Sequence, residues 1–403
     1  MKIIHSADWH YRDADHDEIE KCVDFMIERA SEEMPDLIVV SGDITDSQNL
    51  KLDSRSAKTI CRQFSELADI APVVNIIGTP SHDGKSAEIL RYVNGEYPIH
   101  VSERPEQIYL TGGSGFWVPD CENSKYCGQI DAVITQIPTP TKQFFQADTA
   151  IEEGDKAISN AMTSILCSFG EMAKGLDCPH IINGHFQVGG AYISEKQQLI
   201  GRDIEISTDQ LEMANAHLIC LGHLHFSQTI KGYIHYAGSI YRKTFGETEA
   251  KGFYLHEIEG MVTKSLFIET PTKQKLTIRE DFTKDENIDD LDAILYSYGP
   301  DELKDAHIKV EFKVWQDEQR INKSDIDDFF KSAGVEHVIV NLIRVPRETV
   351  RAANVLKLSS LRDKAQEMAA LRLEEIDPAI LEKADLLETT TADELVQIIG
   401  RVN

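Results

Sequence analysis

Short apolar runs rich in β-branched residues punctuate the chain up to Leu221: Lys2–Ile4, Leu37–Val40, Val73–Ile77, His180–Ile182 and Leu218–Leu221. Runs of this length and composition predict buried strands. Between the first two, Ile19, Cys22, Val23, Met26, Ile27 and Ala30 share one helical face, so a helix should pack on the sheet there. The same reasoning predicts helices over Ser54–Leu67, Lys85–Val93 and Ala157–Lys174. It predicts strands over Ala132–Gln136, Ile234–Ala237, Gly252–Ile258 and Ser265–Glu269. Strand and helix alternate first, and strand-rich segments follow. An α/β fold with helices flanking sheets is the expectation.

The pattern changes near Pro271–Lys275. Acidic helical stretches follow, then two strand-like runs, His307–Trp315 and Val335–Leu342, around a helix at Ser324–Ser332. A small α+β unit is expected over 276–345. Beyond it the chain reads as helical, with Leu358, Leu361, Ala365 and Met368 in a stripe at heptad-like spacing. Asp377-Pro378 then has the form of an N-cap with proline in the first helical position. Thr391-Ala392-Asp393-Glu394 has the form of a capping box before Leu395–Ile399. The expected division is therefore 1–275, 276–345 and 346–403.

Each of the five runs leads into an acid or a histidine: Asp8-Trp9-His10, Gly42-Asp43, Ser81-His82-Asp83, Gly184-His185 and Gly222-His223-Leu224-His225. In open α/β sheets, ligands bind beyond the carboxyl ends of strands, so the five ends should converge on one crevice. Taken singly, each segment is an ordinary turn; Gly42-Asp43, for example, is also a common helix N-cap. Their coincidence points to a shared site. Imidazole with carboxylate, and no thiolate in the ligand segments, suits divalent transition metals better than an all-oxygen cage. Asp43 is the natural bridge between two ions roughly 3.5–4 Å apart, a separation suited to phosphoester hydrolysis.

The five segments resemble, in order, the calcineurin-like metallophosphoesterase signature: D-x-H, GD, GNH(D/E), H and GHxH. Ser41–Ser47 and Tyr236–Glu247 further resemble segments of the SbcD-type DNA repair nucleases. The resemblance implies a two-sheet α/β sandwich, a capping domain and a helical docking segment. It implies that Asp8, His10, Asp43 and His225 hold one metal, with Asp43, His185 and His223 holding the other. His82 would then steady the scissile phosphate or protonate the leaving oxygen. Asp83 beside it belongs to the same catalytic segment, and Asp83 and Asp46 are candidates to orient an imidazole or a loop. The sequence departs from the pattern once, because the family's asparagine ligand is missing and two extra residues precede His82. Ser81 is the expected replacement and Thr79 the less favoured one.

The same resemblance implies two divalent cations, with manganese the expected ion, and DNA as substrate in end processing and repair. The implied partner is an SbcC-like coiled-coil SMC-type ATPase, gripped by the carboxyl-terminal module, in a heterotetramer built on a homodimer. A phosphatase or phosphodiesterase for small molecules or phosphoproteins would use the same site, and a scaffold that has lost catalysis is a third reading. Beyond 270, a small-substrate phosphatase would need neither of the two units.

Composition adjusts this picture in three places. At 403 residues, two or three domains are expected at about 100–200 residues each. No run of about 18 apolar residues could cross a membrane, and no basic segment with an apolar stretch opens the chain, so a cytoplasmic protein is expected. Seven cysteines, odd in number and scattered, suggest free thiols. A net charge of −27 argues against holding nucleic acid by charge alone, since phosphate contacts need local Lys or Arg. Bound divalent ions would offset that at the site. Arg344–Arg372 also holds seven Lys or Arg against three acids, while Lys231, Arg242, Lys243 and Lys251 lie near the last motif.

Overall fold

The computed structural model describes residues 1–118, 128–140, 151–194, 197, 204–284, 297–298, 300–319, 321–346, 353–372, 374–391 and 394. The motif-bearing region begins β1 (Lys2–Ser6), α1 (His16–Glu33), β2 (Leu37–Val40), α2 (Arg55–Ala68) and β3 (Val73–Ile76). It continues through β4 (Ile99–Ser102), β5 (Glu106–Thr111), β6 (Gly115–Trp117), β7 (Ile130–Ile137), α3 (Ile151–Ala173) and β8 (His180–His185). Then come β9 (Gln187–Val188), β10 (Glu205–Ile206), α4 (Thr208–Glu212), β11 (Leu218–Gly222), β12 (Gln228–Ile230), β13 (Ile234–Tyr236), β14 (Gly252–Glu259) and β15 (Val262–Glu269).

Among the described residues these strands make two large sheets, ordered β15-β14-β1-β2-β3-β4 and β12-β13-β11-β8-β7-β5-β6. β1, β2, β3 and β4 run parallel in the first, and β7, β8, β11 and β13 in the second. The side-chain period of two explains the layering. Ile3, Leu37, Val39 and Val74 point toward Ile108, Ile134, Ile181 and Leu218 of the other sheet. Their neighbours Ile4, Ile38, Val40 and Val73 turn outward onto Ile19, Val23 and Met26 of α1 and Ile60 and Phe64 of α2. On the far side, Ile182, Ile219 and Leu221 meet Ile158, Met162 and Leu166 of α3. The result is a helix-flanked two-sheet α/β sandwich. Strands buried on both faces account for the uninterrupted apolar runs in the sequence.

Most expected elements form within a residue or two of their predicted ends. Ser54 caps α2 through a hydrogen bond from Ala57 N–H. Lys85–Val93 is different: Ser86–Tyr92 is a 3-10 segment with no side-chain cap. It continues directly from the turn holding His82 and Asp83, whose N–H groups donate to the Thr79 carbonyl.

Two compact units divide the chain: Met1–Glu280, Asn287–Phe312 and Ile321–Leu342 in one, and Asp281–Glu286, Lys313–Arg320 and Ile343–Asn403 in the other. Beyond the sandwich, β16 (Lys275–Asp281), β17 (His307–Trp315) and β18 (His337–Val345) form a third sheet. α5 (Pro300–Leu303) and α6 (Lys323–Ser332) accompany it in sequence. The last described elements are α7 (Ala353–Lys357), α8 (Leu361–Leu371) and α9 (Pro378–Thr389). Asp377 caps α9 with Pro378 at its start. Thr391 bonds to the Glu394 carboxylate, while the rest of that predicted box and Leu395–Ile399 lie outside the described residues. No described helix is long and apolar enough to cross a membrane. Cys22, Cys61, Cys167, Cys178 and Cys220 are free thiols; Cys121 and Cys127 fall outside the described residues.

Candidate metal centre

All five strand ends meet at one edge of the sandwich. Asp8 and His10 follow β1, Asp43 follows β2, the Gly78–Asp83 loop follows β3, His185 closes β8, and His223 and His225 follow β11. Asp8, His10, Asp43, His185, His223 and His225 are all buried. Four of them hold positive backbone φ: Asp8 (52°), His10 (48°), Asp43 (53°) and His223 (89°). Left-handed backbone at a non-glycine residue costs of order 1–3 kcal/mol and persists where surroundings over-determine it. Here the chain turns sharply off each strand so that the side chain points into the crevice.

The turns are locked to one another. Asp8 N–H donates to the Gly42 carbonyl and His10 N–H to the Asp43 carbonyl, each at 3.0 Å. The Asp8 carboxylate accepts the His223 N–H at 3.0 and 3.1 Å. Gly78 must be glycine, because a Cβ there would stand 2.3 Å from Asp43 N and Oδ1. Asp83 completes the lock, accepting N–H bonds from Asp43 (2.9 Å), Thr45 (3.0 Å) and Gly78 (2.8 Å). It acts on the loops and is itself wholly buried.

Donor atoms of Asp8, His10 and His225 cluster within 4.8 Å of one another, as do those of Asp8, Asp43 and His185. The Nε2 atoms of His10 and His225 are 2.9 Å apart. Two imidazoles on one ion at about 2.1 Å hold their nitrogens roughly 3–3.5 Å apart, so this convergence suits a shared cation. His185 donates Nδ1–H to the Ser41 carbonyl at 2.7 Å, which turns Nε2 toward Asp43 Oδ2, 3.4 Å away. A backbone carbonyl on the rear nitrogen is how proteins commonly orient a ligating histidine. The rings of His185 and His223 lie edge to face at 5.3 Å.

Electrostatics point the same way. Burial, with Lys243 and His225 close by, holds His10 well below the ordinary histidine pKa; burial, Lys251 and Lys243 do the same to His225. Both therefore offer neutral lone pairs. Burial and the Asp43 charge push the Asp8 and Asp83 carboxyls up. Asp43 stays low despite burial, because the His185 imidazole sits against it. Burial disfavours charge on His185, yet Asp43 and Asp8 raise it to about 9. Three buried carboxyl groups beside the neutral lone pairs of His10 and His225 form a site suited to a cation, with His185 giving up its proton when it ligates. A mixed nitrogen and oxygen donor set of this kind fits divalent transition metals.

His82 lies at the rim, half-buried, its ring edge-on to His10 at 4.7 Å. Its Nδ1 meets the Asp46 carbonyl at 3.1 Å, leaving Nε2 as the working nitrogen. Asp46 Oδ1 stands 3.6 Å from His10 Nδ1 and 2.5 Å from Lys243 Nζ. Ser81, the expected neutral ligand, is exposed. Thr79 instead brings its hydroxyl to 3.1 Å from Asp43 Oδ2 and 3.2 Å from His185 Nε2.

Two further groups position the last motif. Gln197 spans the last motif, donating to the His223 carbonyl and accepting His225 N–H at 2.9 Å. Nothing local marks it, because its motif partners are 26 and 28 residues away. Lys251, noted in the sequence for its nearness to the last motif, is buried; it donates to the His225 carbonyl at 3.0 Å and pairs with Glu247 and Glu249. Arg242 is also buried, bonded to the carbonyls of Glu247, Glu249 and Thr272. Of that group Lys243 also stands beside the centre, paired with Asp46. Lys231 pairs with Glu212 well away from it.

Fold and site together define a metallohydrolase of phosphoesters. A family model described as calcineurin-like phosphoesterase matches residues 1–227, and the chain belongs to that family. Among curated proteins, the SbcD subunit of the nuclease SbcCD from Staphylococcus saprophyticus subsp. saprophyticus is similar. It is 26% identical over 289 residues, covering 70% of this chain and 72% of the relative. A solved crystal structure aligns over 66% of this chain and 98% of its own, at 12% identity and a TM-score of 0.38, a likeness too slight to bear on the fold.

Proposed function

We propose that this protein is a manganese-dependent DNA nuclease that hydrolyses phosphodiester bonds in end processing and repair, acting with a coiled-coil SMC-type ATPase. The observation that carries the reading is the convergence of Asp8, His10, Asp43, His185, His223 and His225 on one crevice, every one delivered by a strand end. Likeness to a relative named as part of a nuclease supports DNA over a small phosphoester. In this reading Asp8, His10, Asp43 and His225 hold one cation and Asp43, His185 and His223 the other. Such a pair, when bound, lowers the pKa of a water and neutralises charge on the phosphoryl oxygens.

The chain's own residues supply the rest. His82 presents Nε2 at the rim with Nδ1 tied to the Asp46 carbonyl, a geometry suited to protonating the leaving oxygen. Asp46 lies behind His10 and holds the Lys243 ammonium beside the centre, where that cation can meet a phosphate. Asp83 keeps the second and third loops in register. Residues 276–345 would cap the site against DNA and 346–403 would dock the ATPase. Supporting the docking assignment, Leu361, Leu371, Ile380 and Leu387 of α8 and α9 are exposed, an apolar surface of the kind partner helices cover.

Mn²⁺ titrations with linear DNA and with a phosphodiester reporter test the reading. Both substrates should be cleaved, and Asp43→Asn should cleave neither. Reporter hydrolysis without DNA degradation would favour a small-substrate phosphodiesterase instead, and inactivity on both would mark a scaffold.

A further inference from the structure

The loop after β3 carries two residues more than the Gly-Asn-His pattern it resembles. Gly78 keeps its close approach to Asp43, and the residue directly after it is Thr79, in the place where the asparagine directly follows glycine. Pro80 and Ser81 are therefore the inserted pair.

Thr79 is pinned on three sides. Its N–H donates to Asp43 Oδ1, and its carbonyl accepts from His82 N–H at 2.9 Å and Asp83 N–H at 3.0 Å. Its hydroxyl lies between Asp43 Oδ2 and His185 Nε2. Ser81 is exposed, with its carbonyl taken by Gln48 N–H at 3.2 Å. With His185 in the neutral form that a metal ligand needs, one hydroxyl proton cannot satisfy both the Asp43 carboxylate and the imidazole lone pair. A cation would relieve that surplus of acceptors.

We propose that Thr79, through its hydroxyl oxygen, is the neutral ligand of the second cation, beside Asp43, His185 and His223, and that Ser81 takes no part. This rests on the two-cation reading above. A threonine hydroxyl differs from an amide carbonyl in keeping a proton. While one lone pair faces the cation, its O–H still donates to Asp43 Oδ2, tying the ligand to the bridging carboxylate. The insertion thus preserves the ligand's place after glycine and changes its chemistry, and Pro80 with Ser81 only reshapes the outer turn.

Mn²⁺ uptake by the full-length protein, followed by calorimetry and by electron paramagnetic resonance of the coupled ion pair, gives a readout independent of turnover. Wild type and Ser81→Ala should bind two ions alike. Thr79→Val, nearly isosteric, should keep the first ion, bind the second at least tenfold more weakly and lose the coupled signal. Thr79→Asn, which restores the amide, should recover it. Should Thr79→Val fail to fold by circular dichroism, Thr79→Ser and Thr79→Ala make the same comparison with and without a hydroxyl. Weakened second-ion binding in Ser81→Ala alone, or unchanged binding in Thr79→Val, would overturn the assignment. Wild type taking up no Mn²⁺ would overturn the two-cation reading and the assignment with it, an outcome distinct from failure at Thr79 alone.

Discussion

Replacing Asp83 with asparagine exchanges one carboxylate oxygen for an NH₂ group and leaves the shape unchanged. In the wild type one oxygen serves both Asp43 and Gly78 N–H groups while the other serves Thr45 N–H. The amide oxygen can keep the doubly loaded side. Thr45 N–H then faces a donor with no acceptor, and leaving a buried donor unsatisfied costs about 1–3 kcal/mol. Two charge-assisted bonds also become neutral, each weaker by roughly 1 kcal/mol. Against this, a buried carboxyl whose pKa is already raised no longer bears a desolvated charge, which returns part of the loss. The net expectation is about 1–3 kcal/mol of destabilisation, together with weaker Mn²⁺ binding, because the loops bearing Asp43 and Thr79 are no longer clamped together. Guanidinium denaturation and Mn²⁺ calorimetry measure the two effects. Normal stability and metal uptake with a large loss of turnover would refute the reasoning and make Asp83 a catalytic residue that touches substrate.

Further outcomes follow from the same geometry. His82→Ser should retain both metals while turnover falls by roughly 10²–10⁴-fold, the usual range for a lost general acid; metal loss in step with activity would make His82 a ligand. Acid should destabilise the fold through histidines buried as neutral rings, since burial holds His180 and His235 at about 4. Folded pKa values below the unfolded value of about 6.5 mean that the unfolded chain binds protons first, so stability is full above about pH 6.5 and lost as pH falls toward 4. Each site contributes about 3 kcal/mol over that window. Denaturant midpoints at about pH 7 and pH 4.5 check this, and equal midpoints would contradict it.

Much of the site was legible because its candidate ligands sit directly beyond strands whose apolar runs are local signals. Asp8, His10, Asp43, His185, His223 and His225 needed no tertiary information to be picked out, only strand ends that converge. The choice between Thr79 and Ser81 did need it, since it depends on which way a short turn faces. The sequence places Arg242 and Lys251 near the last motif but not their burial, which is decided by partners that no periodicity reveals: backbone carbonyls for Arg242, and the Glu247 and Glu249 carboxylates for Lys251. Gln197 was invisible for a related reason: its bonds reach backbone atoms of a distant loop. In the fold, β4, β5 and β6 went unpredicted, as Ile99-His100-Val101-Ser102 and its successors mix polar residues into short strands. Lys85–Val93 looked helical by apolar spacing, but a turn already committed to holding His82 leaves room only for a tighter 3-10 segment.

The central claim is that two cations share Asp43 at the meeting point of five strand ends. Anomalous diffraction at the manganese edge, from Mn²⁺-soaked crystals of wild type and Asp43→Asn, addresses it directly. Two peaks roughly 3.5–4 Å apart are expected in the wild type, one beside Asp8, His10 and His225 and the other beside His185 and His223. In Asp43→Asn at least one of the two should be lost. A single peak in the wild type, peaks away from these residues, or two undiminished peaks in the variant would contradict it.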